Sequence, residues 1–189
     1  MRIIAGKYKK SNLLPVPGDR TRPTSDYLKE QIFSVIYNCE NLKVLDLFAG
    51  SGSLGLEALS RGAAEAVFVD ISEKAVKTIN LNVSKLRCQD SSRIYKKKAS
   101  AYLKTCSEKF DLIFLDPPYN GNLVNATIDL IFELDLIIKN GGVVIEHSFR
   151  EIIDPKWNFY LEYEKKSGDS MVTILNARNL ETEEINADI

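Results

Sequence analysis

The sequence predicts an α/β protein with a doubly wound, mostly parallel sheet, and three observations predict it. From residue 43 onwards, short apolar strand-like runs alternate with segments of helical period. A glycine-rich turn, Gly50-Ser51-Gly52, joins the first of these strands to its helix. The last two strand-like runs have no helix between them, which suits an antiparallel hairpin closing the sheet.

The elements follow in order. Residues 1–22 read as short strands, Met1–Ala5 and Ser11–Val16, broken by Gly6, Pro15, Pro17 and Gly18. Thr24 or Ser25 is placed to cap a helix whose apolar residues Leu28, Ile32, Val35 and Ile36 share one face. Strand Val44–Phe48 then turns into helix Ser53–Arg61, and strand Ala66–Val69 into helix Ser72–Leu86, with Ser72 as its cap. Strand Arg93–Tyr95 leads to a helix near Ser100–Thr105, and strand Leu112–Leu115 passes a Pro-Pro turn into helix Asn122–Ile138. Val143–Glu146 is the next strand, and Phe159–Tyr163 with Met171–Leu175 forms the hairpin. Trp157 reads as core or rim packing. The organisation is an arm and helix over 1–40, a core over 41–176, and an acidic tail over 177–189 expected to remain disordered.

At 189 residues, 44% hydrophobic and 27% charged, the chain is long enough for one continuous core. No apolar run approaches the roughly 18 residues of a membrane span, and the first ten residues lack a secretory apolar stretch. Cys39, Cys88 and Cys106 are scattered and form no CxxC pair, which fits reduced thiols in a cytoplasm and excludes a zinc frame. With one histidine, His147, the chain has little for triad or metal chemistry, so no metal site is expected. His147 itself reads as structural. Net charge is −1, yet Arg2, Lys7, Lys9, Lys10, Arg20 and Arg22 face only Asp19 in residues 1–22. That basic arm is a candidate phosphate-tracking surface; Lys96-Lys97-Lys98 reads rather as a solvated run.

Ligands in doubly wound sheets sit at the carboxyl ends of the strands, near the point where strand order reverses. Two such positions stand out. Gly50, Gly52 and Gly55 match G-x-G-x-x-G, and Asp70 ends the next strand, twenty residues after Gly50. That spacing suits a nucleotide-type cofactor whose ribose Asp70 would hold. A nicotinamide dinucleotide and an oxidoreductase remain a rival reading. Asp46 argues against it, since a partly desolvated carboxylate beside the loop disfavours a pyrophosphate. The same acid suits S-adenosylmethionine (SAM), whose sulfonium and ammonium are cationic.

The second position is Asp116-Pro117-Pro118-Tyr119 at the end of the fourth strand. Prolines stiffen the turn and donate no N–H, leaving carbonyls free to accept. Asp116 and the Pro117 carbonyl can take both N–H donors of an exocyclic amine while Tyr119 stacks on the base. Two acceptors aim a poorly nucleophilic nitrogen lone pair at a methyl group and stabilise the positive charge that builds there.

These residues together resemble the class I SAM-dependent methyltransferases and, more narrowly, the bacterial RsmD group that methylates guanine N2 in 16S rRNA. The resemblance spans residues 1–176 and rests on MRIIAGKYK, RTRPTSDYLKEQIFSVI, DLFAGSGSLGLEALSRGA, FVD, DPPY and VVIEHS. It implies a seven-stranded sheet and SAM bound by Asp46, Phe48, Gly50, Gly52, Asp70, Ile71, Ala99 and Asp116. It also implies a flipped guanine held by Asp116, Pro117, Pro118 and Tyr119, and an arm that helps close the cofactor site and touches RNA, including Thr24 beside Arg22. One departure is Lys98-Ala99-Ser100, where such enzymes often carry an acid or amide for the adenine; either the Ala99 backbone N–H serves instead or affinity for SAM is modest. The partner so implied is 16S rRNA, in a small ribosomal subunit, methylated by a monomer. The alternatives are a DNA adenine or cytosine amino-methyltransferase, which 189 residues leave no room to equip with a recognition region, and a silent RNA-binding module. A glutamine methyltransferase would more naturally carry Asn at position 116.

Overall fold

The computed structural model describes residues 1–18, 26–36, 38–118 and 123–177. Helix α1 spans Asp26–Ile36, and strand β1 (Lys43–Leu47) leads into α2 (Ser53–Ser60). Then come β2 (Glu65–Asp70), α3 (Glu73–Leu86), β3 (Ser92–Lys96), α4 (Ala99–Leu103), β4 (Phe110–Leu115) and α5 (Leu123–Glu133). β5 (Ile137–Ser148), β6 (Leu161–Ser167) and β7 (Ser170–Asn176) complete one seven-stranded sheet of order β3-β2-β1-β4-β5-β7-β6. Strands β1 to β5 run parallel; β7 is antiparallel to β5 and pairs β6 on its far side.

The parallel strands are apolar on both faces because both faces are covered. Phe68, Phe114, Val144 and Val172 point towards Leu28, Ile32, Leu56, Ile79 and the arm residues Ile3 and Leu13. Leu45, Val67, Ile113 and Ile145 point towards Leu103, Val124, Ile128 and Tyr160. The predicted α/β class, the alternation and the C-terminal hairpin are all present. Ser72 caps α3 as expected, its hydroxyl accepting the Ala75 N–H at 3.4 Å. Trp157 stacks on Phe132 with ring centroids 4.5 Å apart.

Three expectations are corrected. The arm does not form two strands; it makes one antiparallel bridge, Arg2 to Asn12, around a tight turn with Gly6 and Lys10 at φ 78° and 71°. Helix α5 ends at Glu133 rather than continuing through Ile138. Asp135 adopts φ 51°, and the N–H groups of Asp135 and Leu136 bond back to Phe132 and Ile131, a left-handed stop that frees Ile137 for β5. The run from Phe159 begins inside a 3-10 turn, Pro155–Tyr160, which Asp154 caps by accepting the Lys156 N–H at 3.0 Å. The Thr24–Ser25 cap and the tail beyond residue 177 lie outside the described residues.

Candidate active site

Strand register aligns the predicted positions along one edge of the sheet. Leu47 pairs with Val69 and Leu115, and Leu115 with Ile145. The residues that follow, Phe48, Asp70, Asp116 and Glu146, therefore sit side by side at the carboxyl ends. The order reverses between β1 and β4, so the glycine turn and the Asp-Pro-Pro segment flank the switch point.

The glycine turn is built from left-handed residues. Phe48, Gly50 and Gly52 have φ of 59°, 55° and 78°; the strained Phe48 packs its ring on the apolar layer below. Asp70 holds the crest, accepting the Gly50 N–H at 2.9 Å on one oxygen and the Ser72 N–H at 2.7 Å on the other. Asp46 holds the base, accepting the Gly55 N–H at 2.9 Å. A Cβ on Gly55 would stand 2.4 Å from the Phe68 ring and 3.2 Å from the Asp46 carboxylate, so only glycine lets α2 settle here.

Asp46 is 2% exposed, and burial drives its pKa well above the usual carboxylate range. The Gly55 N–H opposes that rise, while the nearby charges of Asp116 and Asp70 add to it. Three acids thus converge, and among the described residues no basic side chain pairs with Asp46 or Asp70. Such a donor set favours a cationic ligand and disfavours a pyrophosphate. No group of three His, Cys, Asp or Glu side chains among the described residues is arranged to hold a metal.

Asp116 is half-buried, Pro117 buried and Pro118 exposed; Tyr119 lies outside the described residues. Beneath them Phe114 meets Phe33 of α1 at 5.7 Å. Ile71 is 58% exposed beside the crest, and buried Ala99 opens α4 after Lys97, whose N–H bonds the Asp70 carbonyl at 3.1 Å. His147 is buried. Its Nδ1 faces the carbonyls of Ser148 and Glu151 and so carries the proton, leaving Nε2 to accept the Thr173 hydroxyl at 2.9 Å. A separate cavity of about 280 Å³ beside His147 and Trp157 is lined by no residue of the glycine turn or the Asp-Pro-Pro segment.

In the arm, Lys7, Lys9 and Lys10 are exposed, and the Lys7 ammonium lies over the Tyr8 ring. Arg2 is mostly exposed and pairs with Asp26 at 3.0 Å. Arg20, Arg22 and Thr24 lie outside the described residues. What holds the arm in place was not legible in the sequence. Every residue of α2 is buried, so its polar side chains need partners, and the arm provides them for Glu57 and Ser60. Glu57 accepts the N–H groups of Ile4 and Ala5 at 2.8 and 3.0 Å and the Arg61 Nε at 2.8 Å. Ser60 accepts the Tyr8 N–H at 3.0 Å. Lys29, fully buried, donates to the Arg2 carbonyl; burial pushes its pKa below the usual lysine value, with Glu57 and Asp26 opposing. No local signal marks such residues, because their partners stand far away in the chain.

A parallel sheet reversed between β1 and β4, a glycine crest held by an acid, and an Asp-Pro-Pro turn beside it define a class I methyltransferase. The chain belongs to the family described as Conserved hypothetical protein 95, which it matches over residues 1–176. It is 40% identical to YlbH of Bacillus subtilis, across 82% of this chain and 86% of that one. It is 34% identical to the ribosomal RNA small subunit methyltransferase D of Buchnera aphidicola subsp. Baizongia pistaciae, across 88% and 87% of the two chains. The solved structure of Escherichia coli yhhF superposes with a TM-score of 0.82 at 29% identity, covering 93% of this chain and 97% of that one.

Proposed function

We propose that this protein methylates the exocyclic N2 of a guanine in 16S rRNA, using S-adenosylmethionine. The observation that carries the reading is the Asp116-Pro117 turn level with the acid-held glycine crest, at the reversal of strand order. The small-subunit rRNA methyltransferase among its relatives supports the substrate class.

S-adenosylmethionine supplies an activated methyl group on a cationic sulfonium. Asp46 and Asp70 supply the negative surroundings that suit its charges, and Asp70 also offers lone pairs to ribose hydroxyls. Phe48, Gly50 and Gly52 shape the backbone against the methionine end, while Ile71 and the Ala99 N–H flank the adenine. The Asp116 carboxylate and Pro117 carbonyl accept the two amine hydrogens, orient the nitrogen lone pair and stabilise the charge that grows on nitrogen. Pro118 and Tyr119 bracket the flipped base. Arg2, Lys7, Lys9, Lys10, Arg20, Arg22 and Thr24 track the RNA backbone. The protein acts as a cytoplasmic monomer on a protein-bearing small-subunit particle, because a small basic arm on a chain of net charge −1 supplies limited affinity for naked RNA.

The test is methyl transfer from labelled S-adenosylmethionine to unmodified small subunits, deproteinised 16S rRNA and duplex DNA, followed by nucleoside analysis. Label in N2-methylguanosine is expected, strongest with the subunits. Label in a DNA base would overturn the substrate. Asp116→Ala should lower turnover by about 10²–10³-fold with cofactor affinity retained; unchanged turnover would remove Asp116 from the reaction.

A further inference from the structure

The cofactor crest is held from a second side, by a residue no motif marks. Asn82 lies within α3 and is completely buried. Its Oδ1 accepts the Leu14 N–H at 2.8 Å, and its Nδ2 donates to the Leu14 carbonyl at 3.1 Å and to the Ser51 carbonyl at 2.9 Å. One side-chain amide therefore reads both polar groups of an arm residue, as a neighbouring strand would, and gives its remaining hydrogen to the residue between Gly50 and Gly52. A helix position facing a core would be served by leucine if packing were its only purpose; an amide there has to be satisfied, and this one is.

The arm reaches the crest a second time, where the Ser51 hydroxyl contacts the Met1 sulfur at 3.4 Å. The crest is thus fixed by Asp70 on its sheet side and by Asn82 and the arm on the other. A Cβ on Gly52 would sit 3.5 Å from Ile79, so α3 lies directly beneath the turn that Asn82 grips. Leu14 is 41% exposed and contributes its backbone N–H and carbonyl here.

We propose that Asn82 is a positioning residue that couples seating of the basic arm to the geometry of the cofactor turn, so that arm docking and cofactor binding strengthen one another. This deepens the proposed function and rests on it. RNA drawn onto the arm would hold Leu14 against Asn82, and Asn82 would hold the Ser51 carbonyl in the orientation that leaves the crest set for the cofactor. By linkage, the cofactor would tighten RNA binding by the same factor.

The experiment measures S-adenosylhomocysteine binding to the full chain by calorimetry, with and without saturating deproteinised 16S rRNA at low ionic strength, where the arm's limited affinity suffices. Asn82→Ala should weaken cofactor affinity about tenfold, as expected for a hydrogen bond lost from a buried site, and abolish the RNA-induced gain in affinity. Because Asn82→Ala empties a core position, Leu14→Pro is the decisive companion. It removes the N–H that the Asn82 Oδ1 accepts, together with the leucine side chain, and leaves the α3 core position filled. It should weaken cofactor binding severalfold in the wild-type background and have no further effect beside Asn82→Ala. Cofactor affinity unchanged by Leu14→Pro, or additive losses in the double variant, would overturn the coupling while leaving the methyltransferase reading intact. A wild-type protein that binds no S-adenosylhomocysteine would overturn both.

Discussion

Replacing Asp46 with asparagine should make the protein more stable and a worse binder of its cofactor. The carboxylate is 2% exposed, makes one hydrogen bond to the Gly55 N–H at 2.9 Å, and feels Asp116 and Asp70. An asparagine Oδ1 can keep the Gly55 bond, so the substitution removes a buried charge and little else. Relief from that desolvated charge is worth about 1–2 kcal/mol, which in a domain of this size raises the thermal midpoint by roughly 2–8 °C. The folded-state pKa of Asp46 lies above its unfolded value, so the side chain adds stability only while protonated, below the unfolded pKa. That contribution disappears as pH rises through the folded value, so the advantage of Asp46→Asn should be absent in acid and grow towards neutrality. Losing a charged partner for the cofactor ammonium should weaken S-adenosylmethionine about 10–100-fold. Thermal melts over a pH series that begins below the unfolded carboxylate pKa, and calorimetry on both proteins, test this. A neutral-pH midpoint that falls, or a gain independent of pH, would refute the electrostatic argument; unchanged affinity would show that Asp46 does not face the ligand.

Other substitutions test the frame around the site. Gly55→Ala forces a methyl group against the Phe68 ring and should cost about 1–3 kcal/mol, read as a lower urea midpoint with unchanged slope. Gly6→Ala places a Cβ 1.7 Å from the Ser60 carbonyl oxygen at a φ of 78°, so the arm should detach; limited proteolysis within residues 1–18 is the readout, with RNA affinity falling alongside. Glu57→Gln leaves buried Lys29 and its neighbour Arg61 without the acid they share and should destabilise by about 3 kcal/mol in chemical unfolding. Glu108, bonded to Arg93 and then Lys43, has its pKa lowered to about 2. Its stabilisation is fully present above the unfolded carboxylate pKa and is lost as pH falls through the folded value. Glu108→Gln should therefore lower the midpoint slightly at neutral pH, by no more than about 1 kcal/mol at this part-exposed site, and converge with wild type in strong acid.

The alternation of strands and helices was legible because each element carries its own period and its own boundary signal, as Ser72 does at the start of α3. Asp70, which ends β2, and Asp116, which follows β4, were legible because a doubly wound sheet puts the carboxyl ends of its parallel strands on the ligand edge, whereas Asp46 stood out as an acid inside the apolar strand β1. Where the prediction missed, the cause was a competing local conformation or a distant partner. The apolar run Leu136–Ile138 continues a helical pattern, and nothing in that pattern reveals that Asp135 turns left-handed. Phe48 was read as the end of a strand and is instead the first left-handed residue of the turn. Glu57 and Asn82 look like ordinary polar positions on helices; they become hubs because backbone groups from residues 4, 5 and 14 arrive beside them.

The burial of α2 on every side imposes an order on assembly. Ile3 and Leu13 are synthesised well before Glu57, Ser60 and Asn82, the side chains that receive the arm's backbone. Until the chain has grown past α3, the arm has no surface to land on, and its apolar residues stay in solvent or in the keeping of a chaperone. Closing loops of about fifty to seventy residues also carries an entropic delay, as the pairing of β1 with β4 does. The arm therefore settles only after α2 and α3 have formed, although its residues precede both in the sequence.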